Sequence, residues 1–510
     1  MRLFTLALLA LMGCKDGGIF NNDGDDTGPG TGTDDTGSTG PACLGDGFES
    51  SAQSWTLPSG AASWDDWMDA TAESNSSDCT RSSFSATTFD LTGDGKLDLV
   101  VTDQCDLVGV GTDNWLVYEN TGSRFAENAT TWSLPSGVAG WDDWMDATAE
   151  ANSNDCTRSS FTAATFDLTG DGKPDLVVTD NCDLVGVGTD NWLVYENTGS
   201  GFANSATTWA LPSGVADWDD WMDATYEANS NDCTRSSFTA TLLDLTGDRK
   251  PDLVVTDQCD LVGVGTDHWL VYENTGSGFA SGANQWALPQ GVASWDDWMD
   301  ATAEANSNDC TRSSFTAVTM DLTGDRKPDL VVTDNCDLVG VGTDNWLVYE
   351  NTGSGFASNA TSWALPSGVA DWDDWMDATY EANSTDCVRS SFTATTADLT
   401  GDGKPDLVVT DNCDLVGVGT DEWLVYENTG SGFSGSPLSW PLPQGVADWE
   451  DWLDSMAEAN SSDCTRSSFT AVTMDLTGDG VVDLVVTDQC DLVGVGTDDW
   501  RVWPGTCSVR

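Results

Sequence analysis

From Ser160 onward the chain alternates short apolar runs with clusters of turn-forming residues. Ser160-Phe161 to Phe166 reads as one strand, and Leu176-Val177-Val178-Thr179 as a second. The second is rich in β-branched residues and apolar without a break, as in a strand buried on both faces. Cys182 to Asp190, with Gly186 and Gly188, reads as a loop, and Trp192 to Tyr195 as a third strand. Asn197-Thr-Gly-Ser-Gly201 is a turn signal. Phe202 to Pro212, carrying Trp209, reads as a fourth strand of weaker apolar character. Four strands joined by hairpins make one blade of a β-propeller. Between blades, Trp141-Asp-Asp-Trp144-Met145-Asp-Ala-Thr148 places apolar groups at i, i+3 and i+4, one stripe of a short helix. The residue before each such stretch (Ser63, Gly140, Asp217, Ser294, Asp371, Asp448) can cap it.

This pattern is written six times. The segment Asp90-Leu-Thr-Gly-Asp-Gly-Lys-Leu-Asp98 recurs with its first Asp at 90, 167, 244, 321, 398 and 475, a period of 77 residues (167 − 90) without insertion or deletion. A fixed period of this size marks units that bury a core only against their neighbours. The expected fold is all-β, a six-bladed β-propeller of four-stranded blades, each with a short helical insert. The ends keep the register. Phe48 and Trp55 correspond to Phe125 and Trp132, so residues 43–58 are a fourth strand with no blade before it. The chain stops after a third strand, Trp500-Arg-Val-Trp503. The first strand segment is therefore expected to complete the sixth blade and close the ring.

Residues 1–13 read as a signal peptide, with Arg2 and a Leu3–Leu11 apolar run too short to span a bilayer. The run ends in Leu11-Met12-Gly13-Cys14, which resembles the lipobox of bacterial lipoproteins and implies lipidation of Cys14. Residues 14–42 then form a Gly/Asp/Thr linker that would hold the body roughly 30 Å from its anchor. Residues 43–510 are the propeller. The resemblance implies an exported protein at the bacterial outer membrane or cell surface.

Cysteine usage agrees with export. Each repeat carries one pair at the same spacing: Cys79 with Cys105, Cys156 with Cys182, Cys233 with Cys259, Cys310 with Cys336, Cys387 with Cys413, and Cys464 with Cys490. Cys43 and Cys507 remain at the two ends. In an exported chain this even arithmetic reads as disulfides. Zinc is disfavoured, since the chain has one His and no CxxC. Each repeat bond would tie its insert to its own blade. A Cys43–Cys507 bond would stand in for the missing covalent hairpin.

The formal net charge is −67, from 18 Lys+Arg against 85 Asp+Glu. Nucleic acid and anionic membrane surfaces are disfavoured as partners. Solubility or a salty habitat accounts for most of the acids. Where they have ligand spacing, a cation is the further reading. Acids at positions 1, 5 and 9 of a Gly-containing turn, with a backbone carbonyl at 7, supply hard oxygens of the kind Ca²⁺ takes. In the first copy these are Asp90, Asp94, Asp98 and the carbonyl of Lys96, with Thr92 at position 3 acting through water or capping the turn. The later sets are Asp167, Thr169, Asp171, Lys173 and Asp175; Asp244, Thr246, Asp248, Lys250 and Asp252; Asp321, Thr323, Asp325, Lys327 and Asp329. Asp398, Thr400, Asp402, Lys404 and Asp406 follow, and then Asp475, Thr477, Asp479, Val481 and Asp483. The string D-x-T-G-D-G-K-P-D-L-V-V resembles the FG-GAP/VCBS repeat of integrin-α-type propellers. That resemblance implies up to six structural Ca²⁺ between the first two strands of each blade. Arg249 and Arg326 replace Gly at position 6 in two loops, where a positive φ would cost free energy and weaken binding.

Loops between first and second, and third and fourth, strands share one face; the other connections share the opposite one. The opposite face carries Trp67, Trp144, Trp221, Trp298, Trp375 and Trp452, with Arg81, Arg158, Arg235, Arg312, Arg389 and Arg466. Trp beside carboxylates suits sugars, although a single helical stripe equally suits packing of the insert onto its blade. The arginines can pair with loop acids such as Asp106 or bind ligand. Catalysis is not expected. His268 is the one His, and its equivalents are Asn114, Asn191, Asn345, Glu422 and Asp499. The expected function is a calcium-binding, monomeric adhesion or binding module for a glycan or a surface protein. The alternatives are a purely structural envelope component and, last, a polysaccharide hydrolase or lyase.

Overall fold

The structure is a computed structural model that describes residues 43–509, apart from 59–83 and 104–113 in the first repeat and the corresponding stretches of the later ones (136–160, 181–190, 213–237, 258–267, 290–314, 335–344, 367–391, 412–421, 444–468 and 489–498). The helical inserts, the loops after the second strands and residues 1–42 lie outside the described residues. The six expected repeat disulfides lie outside them too, at both ends: Cys79 and Cys105, Cys156 and Cys182, Cys233 and Cys259, Cys310 and Cys336, Cys387 and Cys413, Cys464 and Cys490. So does the side chain of Cys43.

The first blade consists of Phe84–Phe89, Asp98–Asp103, Asn114–Tyr118 and Thr130–Ser133, paired antiparallel in chain order. The next four blades repeat this order. Each strand's burial follows from its sequence. Leu99, Val100 and Val101 are all fully buried, because the second strand is covered on both faces by neighbouring blades. The third strand buries Trp115 and Val117 in alternation, and the fourth buries one residue, Trp132. The fourth strand is shorter than its sequence suggests: in the second blade it is Thr207–Ala210. Phe202 is instead held in a bridge with Asn197, which turns its ring towards the preceding blade.

The ring closes as the register of the ends requires. Gln53–Thr56 pairs with Asp499–Trp503, so the sixth sheet combines the chain's beginning with Phe469–Met474 and Asp483–Asp488 from its end. Cys43–Phe48 also pairs with the final strand, Gly505–Val509, as a two-stranded ribbon. Cys507, opposite Gly45 in this ribbon, is disulfide-bonded.

The core is a set of six interfaces. Each hydrophobic cluster joins one blade to the next, including a cluster of Leu476, Val485 and Trp500 from the sixth blade with Leu99, Val101 and Tyr118 from the first. At each interface one Phe enters a cross-strand Trp pair. Phe202 meets Trp115 and Trp132 edge-on, with ring centroids 5.5 Å from each. Phe125, Phe279, Phe356 and Phe433 do the same at the neighbouring joints. Phe48 fills the last place, against Trp423 and Trp440. Edge-to-face pairs of this kind add about 0.5–1.5 kcal/mol each beyond area burial.

Candidate functional site

The Asp-rich loops of all six blades are described, and the antiparallel order places them together on one face of the ring. In the first loop, Oδ1 of Asp90 accepts the N–H groups of Gly93 (2.7 Å) and Asp94 (3.1 Å), and Oδ2 accepts that of Gly95 (2.9 Å). Asp90 thus winds the turn around its own carboxylate. Gly95, at φ 85°, brings its N–H inward through a left-handed conformation. Arg249 and Arg326 take the same conformation, at φ 70° and 68°, and still donate to Asp244 and Asp321.

Asp98 is completely buried. Its Oδ2 accepts Leu91 N (3.1 Å) and Thr92 N (2.9 Å), and its Oδ1 accepts Asn120 N (3.0 Å) from the turn between the third and fourth strands. Thr92 therefore caps the turn through its backbone. Burial outweighs these N–H groups and pushes the Asp98 carboxyl up to about 6. Asp175, Asp252, Asp329 and Asp483 are raised to about 6 in the same way, and Asp406 to about 7.

Two features tie the loops into a belt. Asn197 donates from Nδ2 to Pro174 O in its own loop (3.0 Å) and to Leu91 O in the preceding blade (2.8 Å). Asn120, Asn274, Asn351 and Asn428 repeat this stitch onto Leu476, Leu168, Leu245 and Leu322. The stem of Lys173 lies across Gly93 of the preceding loop so closely that a Cβ there would collide with it. Its ammonium returns to Asp171 Oδ2 at 2.8 Å. Lys96, Lys250, Lys327 and Lys404 make the same ion pair within their own loops. The hydrogen bond to the neighbouring acid raises the Lys173 and Lys327 amines above their ordinary value.

The sixth loop departs from this pattern. Val481 stands where the others have Lys, and Gly505 stands where they have Asn. Both changes make room for the terminal ribbon. A Cβ on Gly505 would strike Val481, and Gly45 N donates to Thr400 O at 2.8 Å, next to the place an Asn stitch would have used. The turn asparagines and the lysine staple were hidden in the sequence behind a generic turn signal and a loop position read for its carbonyl. The recurrence of Asn 22 residues after the last loop Asp, lost only at Gly505, was the available clue.

The chemistry of these loops suits calcium, since Asp90, Asp94, Asp98 and the Lys96 carbonyl are hard oxygen donors. Their placement is that of a loop closed on itself. Among the described residues no group of three or more His, Cys, Asp or Glu side chains is set to hold a metal ion. Asp90 and Asp98 face backbone N–H groups, while Asp94 faces an ammonium. The other predicted surface, with the Trp67 and Arg81 series, lies outside the described residues, as does Cys14.

No protein-family model matches the chain, and no curated protein does. Solved structures similar in fold include a Tc holotoxin pore of Photorhabdus luminescens, at 15% identity and TM-score 0.44 over 92% of this chain; the chain spans 15% of the toxin's length. An Agrocybe aegerita lectin that recognises non-reducing terminal N-acetylglucosamine is 19% identical, with TM-score 0.37 over 80% of this chain and 75% of the lectin. A Penicillium chrysogenum alpha-L-arabinanase bound to arabinobiose is 12% identical, with TM-score 0.32 over 91% of this chain and 99% of the enzyme. At these identities the likeness concerns the course of the chain and not its chemistry.

Proposed function

We propose that this chain is a non-catalytic binding module, an FG-GAP/VCBS-like propeller that holds a glycan or a surface protein outside the cell. The observation that supports this reading is the equality of the blades around a closed ring. A surface group carried once per blade recurs six times at a fixed radius, so weak contacts to a repetitive ligand add through effective concentration. Catalysis calls for one differentiated site, and the differences seen in the sixth loop serve closure instead. Anchoring through lipidated Cys14 belongs to the same reading, as does a Cys43–Cys507 bond that locks the terminal ribbon. Calcium enters as an exchangeable staple. In five loops it would have to displace an ammonium from the middle Asp, whereas in the sixth, at Asp475, Asp479 and Asp483, no lysine competes.

The test is a glycan array and a surface-protein pull-down with the full chain, alongside a variant carrying Trp→Ala at all six of Trp67, Trp144, Trp221, Trp298, Trp375 and Trp452. Retention by the parent and loss by a folded variant supports the module. If the folded parent retains no glycan and no protein, the chain is a structural envelope component. Turnover of a polysaccharide that survives purification and disappears with one carboxylate would make it an enzyme.

A further inference from the structure

The sixth blade breaks the six-fold equality once more, on the strand that receives the chain's beginning. At the position where the other blades carry Leu116, Leu193, Leu270, Leu347 and Leu424, it carries Arg501. Those leucines pack against the cores between blades. Beside Arg501 lies an open surface cavity of about 460 Å³, lined by Arg501, Trp503 and residues 50–54. Ser54 is directly opposite Arg501 in the sheet. Trp503, another departure (Tyr in the other five blades), is buried and supplies an apolar wall.

The charges are unusual for this molecule. Arg501 is half-buried and makes no ion pair among the described residues, in a chain with 85 acids for 18 Lys and Arg. The nearest strand neighbour that could neutralise it, Asp499, is instead held by the hydroxyls of Ser54 (3.2 Å) and Thr56 (2.7 Å). A half-desolvated guanidinium in this setting favours a planar anion that it can grip with two parallel N–H bonds. The net charge of −67 limits which anion. One fixed cation in so negative a field suits a single carboxylate rather than a polyanion or a phosphate dianion. The hydroxyls of Ser50 and Ser51 at its rim suit a ligand rich in hydroxyls.

We propose that this cavity is a binding site for a saccharide unit bearing one carboxylate, a hexuronic acid, with Arg501 on the carboxylate and Ser50 and Ser51 on the hydroxyls. The site occurs once per molecule. It does not depend on the repeated face, so binding here should persist in the six-fold Trp→Ala variant.

The experiment titrates the full chain with D-glucuronate, D-glucose and acetate, read by ligand-observed NMR. The parent protein is compared with Arg501→Leu and Arg501→Lys. Arg501→Leu installs the residue the other five blades carry, and so keeps the fold. Saturable binding of glucuronate is expected, with glucose and acetate each weaker by about tenfold or more, as a lost charge-assisted pair requires. Arg501→Leu should lose about tenfold in glucuronate affinity, and Arg501→Lys a smaller part of it. Unchanged binding by Arg501→Leu, equal binding of glucose or acetate, or no saturable glucuronate binding overturns the assignment.

Discussion

Phe48 stands edge-on to Trp440, with ring centroids 5.7 Å apart, although 392 positions separate them along the chain (440 − 48). It occupies the place that Phe202 occupies against Trp132, at 5.5 Å. The N-terminal strand thus supplies the sixth of six equivalent plugs. Phe48→Ala is expected to cost about 3 kcal/mol or more, as truncation of a packed aromatic does elsewhere. Urea denaturation of this variant beside Phe202→Ala checks it. Similar losses would show the closing joint to be as firm as the others. A loss under about 1 kcal/mol would show that it frays.

The closing joint is also where the sequence was most informative. Phe48 and Trp55 carry the same spacing as Phe125 and Trp132, and ring closure follows from that spacing alone. Strands were legible because their burial leaves a pattern: an unbroken Leu-Val-Val for a strand covered twice, and a lone Trp for one covered once. The loop was legible only as a set of acids. Spacing cannot say whether a carboxylate faces a cation or a backbone N–H, since both need Asp at the same positions, and here Asp90 and Asp98 face N–H groups. Asn197 was legible as a turn former, but its reach to Leu91 in another blade depends on a packing angle that no local pattern records.

That reach can be measured. Asn197→Ala removes the bonds to Leu91 O and Pro174 O and the one its Oδ1 accepts from Gly199 N at 2.8 Å. Two buried carbonyls then lose their side-chain donor, so a cost of about 2–3 kcal/mol is expected in denaturant unfolding. A loss near zero would mean that water replaces the stitch without penalty.

Arg249 and Arg326 hold a conformation that glycine holds in the other four loops. The left-handed region costs a residue with a Cβ about 1–2 kcal/mol, while glycine forfeits roughly 0.5–1 kcal/mol through its freer unfolded chain. Glycine therefore wins narrowly. Arg249→Gly and Arg326→Gly should each stabilise the protein by up to about 1 kcal/mol, seen as a higher denaturant midpoint. Destabilisation by either would mean that the arginine side chain does more than tolerate its turn.

Because each loop is closed by its own hydrogen bonds, the protein is expected to remain folded in EDTA, with its far-UV spectrum unchanged. Added calcium should raise the melting temperature through binding to the native state. Lys173→Met, which removes the ammonium from Asp171, should strengthen calcium binding as read by calorimetry. Absence of binding heat and of any melting shift at millimolar calcium, in both the parent and Lys173→Met, would remove calcium from the proposed function. Unfolding in EDTA alone would instead show that the hydrogen-bonded loop cannot stand without the ion.

The buried aspartates set the response to acid. Asp98, Asp175, Asp252, Asp329 and Asp483 titrate near 6 in the folded protein, and Asp406 near 7, against 3.8 for an ordinary Asp. Between those values the native state holds protons that the unfolded chain has released. Unfolding then releases protons, so stability falls as pH rises from about 4 through about 6–7 and levels off above. The net charge acts in the same direction, since protonating carboxylates relieves repulsion in a chain of −67. In EDTA, at fixed ionic strength, the denaturant midpoint should therefore be higher at pH 5 than at pH 7.5. Raised salt screens the exposed charges but not the buried ones. A difference that survives high salt belongs to the buried aspartates, whereas one that vanishes belongs to general repulsion. Lower stability at pH 5 than at pH 7.5 would show that these carboxylates are ionised in the fold, with their N–H donors prevailing over burial.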